Sequence, residues 1–205
     1  MNIAKSTKNM VANALLCGIT VLLGFTPLGM IPLPIVNATT THLPVLIATL
    51  YLGHKNGLVV ATCFGLVSFI RALQQPIGLA VFFMNPLIAI LPRLSIPLIA
   101  FAVYKLSKKL TKTTPAFVLA SFFGSLANTV FTLGSIYIFY GAKLTEIINN
   151  SIAAGSGNPV YYNNASLYLL SGVAIPYGLT EALVAALIVP TICITLRKAI
   201  GREEL

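Results

Sequence analysis

The sequence predicts an all-α integral membrane protein of six transmembrane helices, with both termini inside and a pocket formed by outer-side loops and helix ends. Three observations carry that expectation. Hydrophobic residues fill 57% of the 205 positions and charged residues 8%, with a mean hydropathy of +0.92; a water-soluble domain needs far more surface charge. The apolar residues come in solid runs rather than alternating, which favours helices over a membrane β-barrel. The basic residues gather between alternate runs, as they do on the cytoplasmic side of a bilayer.

The runs fall at about 10–27, 42–53, 57–74, 87–106, 115–140 and 167–196, within a single domain spanning 1–205. Lys5 and Lys8 precede the first run, but it ends in GFTPLGMIPLP without a small-residue cleavage site, so it reads as a helix and not a secretory signal. The second run is too short for the ~20 residues that cross ~30 Å of hydrocarbon, and is expected to be tilted or extended by part of the preceding TTTHLP. After the third run, QQPIGLAVFFMNPLIAILP mixes prolines and an asparagine into apolar sequence. Irregular backbone at membrane depth is tolerated only where protein or a water-filled cavity covers it, so this stretch is expected to be a partly re-entrant loop lining a pocket. The segment from Lys143 to Ser166, containing IINNSIAAGSGNPVYYNNAS, is polar and too long for a tight connection. It reads as an external, lid-like loop.

Orientation follows from the basic residues. An inside N-terminus places Lys5, Lys8, Lys55, Lys105, Lys108, Lys109, Lys112, Arg197, Lys198 and Arg202 inside, which is ten of the thirteen, and leaves Arg71, Arg93 and Lys143 outside. The net charge of +9 is therefore accounted for by the cytoplasmic rim, KLSKKLTK included, and calls for no nucleic-acid partner. Cys17, Cys63 and Cys193 lie in apolar runs at unrelated spacings and imply neither disulfides nor a metal site. There is no GxxxxGK[ST], no HExxH, no nucleophile elbow and almost no acidic residue for acid–base work, so the chain is not expected to be an enzyme.

A few polar residues stand out against the apolar background. Arg71 ends the third run and Arg93, between Pro92 and Pro97, begins the fourth. Each has two readings: a rim arginine snorkelling to lipid phosphate, or a forked donor for a carboxylate in an outer pocket. Asn128 suits a helix–helix hydrogen bond as well as a ligand contact. Glu181 is the one carboxylate inside a run, open to reading as a proton site, an ion-pair partner for an arginine or a packing residue. His42 is more often an interfacial or capping histidine than a ligand, and neither it nor His54 has neighbours that would make a metal site.

Against this background THLPVLIATLYLGHKNGLVVATCFGLVSFI, FFMNPLIAILPRL, GSLANTVFTLGSIYIFY and IPYGLTEALVAALIVP, together with the small size and the missing motor motifs, make the chain resemble the substrate-binding S-components of energy-coupling factor (ECF) vitamin transporters, most of all the pantothenate group. The resemblance spans about four fifths of the chain. It implies a subunit of the bacterial cytoplasmic membrane that captures a vitamin and works with a transmembrane T-component and two cytoplasmic ATPases, the ATP and Mg being bound there and no cofactor in this chain. It also implies a docking role for Ala14 and Gly18, four apart on the first helix, although the same spacing serves ordinary internal packing.

Pocket chemistry narrows the vitamin. A thiamine-like cation would favour carboxylates and a stacking tryptophan, and the chain has no Trp. Outer arginines with amide and hydroxyl groups suit a small anion carrying hydroxyls and an amide, which describes pantothenate. Arg93 is assigned to the carboxylate, Asn128 to the amide or hydroxyls, Asn85 to the re-entrant wall, and Arg71 to electrostatic support, with His42 and Tyr168 as further contacts. Folate, biotin, riboflavin and a hydroxymethylpyrimidine precursor stay open as ligands, and a stand-alone small-solute permease or a membrane scaffold as functions.

Overall fold

The computed structural model describes residues 3–32, 37–76, 78–155 and 157–200; Arg202 lies outside them. Helix α1 (Ile3–Phe25) stops where Thr26 and Pro27 break the apolar run. The chain then makes a short antiparallel hairpin, β1 (Met30–Pro32) with β2 (Asn37–Thr39), in which Met30 pairs Thr39 and Pro32 pairs Asn37. An all-helical reading did not include this hairpin. Prolines at 27 and 32 withhold the amides a helix would need, and strand pairing satisfies the remaining backbone groups instead.

The second run becomes α2 (Leu43–Ile47) continued by a π-helical turn, Ala48–Leu52. All ten of these residues are buried. At 1.5 Å per residue the segment is about 15 Å long, half of the hydrocarbon thickness, so it sits inside the bundle rather than along its edge. Gly53, at φ +102°, turns the chain into α3 (His54–Gln74).

A 3₁₀ segment, Gly78–Met84, leads to α4 (Pro86–Leu110). Here the expected re-entrant loop is corrected: PLIAILPRLSIP is helix. Asn85 caps it, its side chain accepting from the Leu87 N–H at 3.0 Å, and Pro86 takes the first helical position, where a missing N–H costs nothing. Among the described residues of this stretch, 75, 76 and 78–85 lie outside the α-helices. Helix α3 packs tightly on α4 because Gly65 offers no side chain; a Cβ there would lie 2.9 Å from the Ile90 Cα.

Helix α5 (Thr113–Ala153) is 41 residues long, with non-helical backbone at Tyr140. It corrects the expected lid as well, since the stretch from Lys143 to Ala153 continues as helix and, among the described residues, the irregular connection is confined to 154, 155 and 157–164. Leu144 and Ile148 face inward along this second arm while Lys143, Glu146 and Asn150 are exposed, a helical and not a loop-like pattern. The last passage is one helical run: α6 (Ala165–Leu167), a π-helical stretch Tyr168–Leu179 containing Pro176, and α7 (Thr180–Ile200).

Among the described residues five helices are long and apolar enough to cross a membrane, and Leu43–Leu52 is a shorter apolar helix. The main core gathers α2, α3, α4, α5 and α7 around Leu46, Leu50, Val60, Ile96, Phe117 and Val189. A second apolar cluster, with Phe82, Ile136, Leu144, Ile148 and Leu169, lies under the second arm of α5. At the opposite end the basic tails converge: the Arg197 guanidinium lies 4.6 Å from the Phe117 ring and donates to the Leu50 carbonyl at 3.2 Å.

Candidate functional site

Between the two apolar clusters lies a knot of buried polar side chains. Helix α5 supplies a ladder, Ser121, Ser125, Asn128 and Thr132, at steps of four, three and four residues, so all four share one face. Ser121, Ser125 and Thr132 are buried. Ser121 returns its hydroxyl to the Phe117 carbonyl, and the upper three rungs are left to neighbouring elements.

Arg93 reaches this ladder from α4 and is 5% exposed. Its place is set by the proline before it. In an α-helix the N–H of residue 92 would bond the carbonyl of residue 88, and proline has no N–H. The Arg93 Nη1 donates to that Ile88 carbonyl at 3.2 Å and to the Thr132 hydroxyl at 3.1 Å. The guanidinium lies between two rings, 4.5 Å from the centre of Phe83 and 5.3 Å from that of Phe64, each an attractive contact for a cation. Its Nε, though buried, has no partner.

From the hairpin side the TTTH run closes the knot. His42, 1% exposed, places Nε2 3.0 Å from the Ser125 hydroxyl. Thr40 is buried and its hydroxyl is unpartnered, as is the Asn128 side-chain carbonyl. Glu181, in the first turn of α7, accepts from both the Thr39 N–H (2.9 Å) and the Thr39 hydroxyl (2.6 Å), tying the end of the hairpin to the last helix. Thr39 stands three residues before His42, so these bonds bring the carboxylate to the hairpin side of the knot. The knot thus holds one fixed cation, one carboxylate, one titratable imidazole and three buried polar atoms without a partner: a donor at Arg93, an acceptor at Asn128 and a hydroxyl at Thr40. Buried polar groups are nearly always satisfied, and leaving one unpaired costs about 1–3 kcal/mol. These three atoms are the candidate contacts for a polar guest.

Of the residues singled out in the sequence, Arg93, Asn128 and His42 come together here. Arg71 does not join them: its Nη1 donates to the Gly24 carbonyl at 2.8 Å, binding the end of α3 to α1. Asn85 caps α4 and donates to the Tyr140 hydroxyl at 3.2 Å. Tyr168 meets Tyr161 edge-on, 5.4 Å between ring centres, beside a cavity of about 330 Å³ that Phe82, Leu144, Ile148 and Asn158 also line. Phe82 borders that cavity while its neighbour Phe83 stacks on Arg93, so one turn of the 3₁₀ segment joins the two regions. Ala14 and Gly18 are exposed on α1. Sequence reasoning passed over Ser125, Thr132, Thr39, Thr40 and Phe64 and gave Glu181 no role in the site. The spacing of 121, 125, 128 and 132 was a readable signal for the α5 rungs; nothing in the linear order joins Thr39 to Glu181.

Comparison with known proteins adds an independent line. Residues 8–193 match the family model for the substrate-specific component of ECF transporters. The pantothenic acid transporter PanT of Lactococcus lactis subsp. cremoris (strain MG1363) is 28% identical over 182 residues, covering 82% of this chain and 81% of that protein. In three dimensions the chain resembles the S component of a bacterial ECF transporter, with a TM-score of 0.52, 18% identity and 96% of each chain covered, a likeness of fold.

Proposed function

Because the chain belongs to the family of ECF transporter substrate-specific components, we propose that it binds pantothenate from outside the cell and delivers it to an ATP-driven complex. It is a membrane-embedded, non-catalytic subunit at the level of its family. In the proposed arrangement the five long helices and the buried Leu43–Leu52 segment make six passages with both termini inside, and the basic end around Arg197, Lys105 and Lys109 faces the cytoplasm. The partners are a transmembrane T-component and two ATPases, on which ATP and Mg act.

One observation carries the choice of ligand: the elements that meet around Arg93 leave three buried polar atoms without a partner, the Arg93 Nε, the Asn128 side-chain carbonyl and the Thr40 hydroxyl. A carboxylate meets Arg93, and an amide N–H and hydroxyls meet Asn128 and Thr40, which is the set of groups pantothenate carries. The name of the Lactococcus lactis relative points the same way. Phe64 and Phe83 hold the guanidinium in place before the ligand arrives, so little side-chain freedom is lost on binding. Equilibrium binding of labelled pantothenate to the detergent-purified chain tests the reading, with biotin, folate, riboflavin and hydroxymethylpyrimidine as competitors. Saturable binding resisted by none but pantothenate itself is expected; a flavin or pyrimidine that binds while pantothenate does not would sink the choice of vitamin.

A further inference from the structure

We infer that Arg93 grips the ligand's carboxylate through one edge of its guanidinium, the donors at Nε and Nη2, and that Thr132 is the positioning residue that presents this edge. The inference deepens the reading of Arg93 as partner of a carboxylate, on which it rests, and says what the site refuses. A guanidinium carries five N–H donors in a rigid plane. Two parallel bonds to a carboxylate can come from both terminal nitrogens, or from Nε and the terminal nitrogen beside it, Nη2. Here the first way is closed. Nη1 has two N–H groups and two acceptors, the Ile88 carbonyl at 3.2 Å and the Thr132 hydroxyl at 3.1 Å. The Nε, whose N–H points away from Nη1, is buried without a partner.

The two anchors differ in origin, and that gives Thr132 its role. Ile88 lies in the same helix as Arg93, where Pro92 has no N–H to occupy its carbonyl, and a bond to it alone is a pivot about which the group can swing. Thr132 belongs to α5 and is buried; a second bond, to another helix, stops the swing in the guanidinium plane. The rings of Phe83 and Phe64, centred 4.5 and 5.3 Å from the guanidinium carbon, oppose tilting out of it. The edge is thus aimed before the ligand arrives. Because Nε is buried, the acid displaces packing to reach it. Phe82, the neighbour of Phe83, borders the cavity of about 330 Å³, which gives that packing room.

The chemistry of the edge sets a rule of selection. It shows two donors side by side and no acceptor, so it fits the two coplanar oxygens of an ionised acid. The primary amide of the same ligand turns an NH₂ toward one of those donors, and the alcohol brings one oxygen without charge. A buried site built for a hydrogen-bonding group discriminates strongly against an analogue that leaves its groups unpaired. Free acids are therefore the ligand class, and amides and alcohols of the same body are refused.

Pantothenate, its primary amide and the alcohol in which CH₂OH replaces the carboxylate, titrated into the purified chain, are the probes. The acid is expected to bind at least about a hundredfold more tightly than the other two. Thr132→Val keeps the shape and deletes the hydroxyl, and is expected to narrow that preference about tenfold; Thr132→Ser restores it. NMR of the chain isotope-labelled at arginine Nε watches the edge itself, with no change to the site. Its four arginines are told apart by Lys replacements of Arg71, Arg197 and Arg202, and the Arg93 Nε–H signal moves downfield with pantothenate and not with the alcohol. An amide bound as tightly as the acid, or an Nε–H signal that pantothenate leaves in place, overturns the grip. A Thr132→Val chain with its preference intact overturns the role of Thr132. In each case pantothenate still binds and the functional reading stands. If none of the three probes binds, that reading fails and the inference with it.

Discussion

Helices α1 and α4 have 23 and 25 residues, and both contain a window apolar enough to cross a membrane, yet 11% of the α1 window is buried against 50% of the α4 window. Helix α4 lies between α3 and α5, while α1 leans chiefly on α3. Their glycines and polar residues follow suit. Gly65, where α3 meets α4, has the Ile90 backbone against it, and Gly18 on α1 has nothing within 4 Å of where a Cβ would be. Helix α4 carries Arg93 into the interior; the polar links of α1 run to α3, among them Asn13 Nδ2 to Asn56 Oδ1 and Arg71 Nη1 to the Gly24 carbonyl, each at 2.8 Å. Hydropathy alone makes the two helices look alike. What separates them is the use of their surface: α4 builds the fold and the site, and α1 turns Leu15, Ile19 and Leu22 outward beside Ala14 and Gly18, a face for lipid or another membrane helix.

Substitutions can break this contrast. The largest effect is expected from Arg93→Ala, which on the proposed reading strands the ligand's carboxylate and costs about 3 kcal/mol or more than a hundredfold in pantothenate affinity; size-exclusion and thermal unfolding show whether the variant still folds. Next is Gly65→Leu, whose side chain has to displace the Ile90 backbone. An overpacking cost of about 2 kcal/mol would appear as a lower unfolding temperature. Gly18→Leu on α1 has the reverse profile: stability and ligand affinity stay within about 0.5 kcal/mol, while pantothenate uptake by whole cells falls about tenfold if this face docks against the partner membrane subunit. Equal uptake would return α1 to the lipid. Smallest is Asn13→Ala, where loss of one interhelical hydrogen bond is worth about 0.6 kcal/mol, readable as a slightly lowered unfolding temperature with ligand affinity unchanged.

How far the site was legible follows from what a linear sequence encodes in a membrane. Depth is written in the apolar runs, and polar residues within or beside them stand out, which is how Arg93, Asn128 and His42, three residues of the candidate site, were singled out. Lateral position is not written there. Arg71 and Arg93 were assigned to one side of the membrane, and the fold sends Arg71 to Gly24 at the end of α1 and Arg93 to Thr132 on α5. Prolines misled in a related way. Pro92 reads as a helix breaker, but the carbonyl it leaves free is occupied by the side chain of the very next residue, a repair that needs three dimensions to see. The start of α4 was readable after all, in Asn85 followed by Pro86, a capping residue and a first-turn proline. The pairing of Thr39 with Glu181 joins residues 142 positions apart, and no local pattern announces it.

The break at Tyr140 has a further use. Forty-one helical residues measure about 60 Å along the chain, twice the hydrocarbon thickness of about 30 Å, and the non-helical backbone at Tyr140 divides them into two arms, the second set on the first like a mast on a hull. It is not loose rigging: Leu144 and Ile148 seat it on the second apolar cluster, and Asn149 and Asn163 clasp each other by two hydrogen bonds, at 2.6 and 2.9 Å. Any tilt of the whole domain in the bilayer is therefore magnified at the mast tip. A spin label or fluorophore at exposed Asn150 would turn that lever into a gauge of how the protein leans as it works.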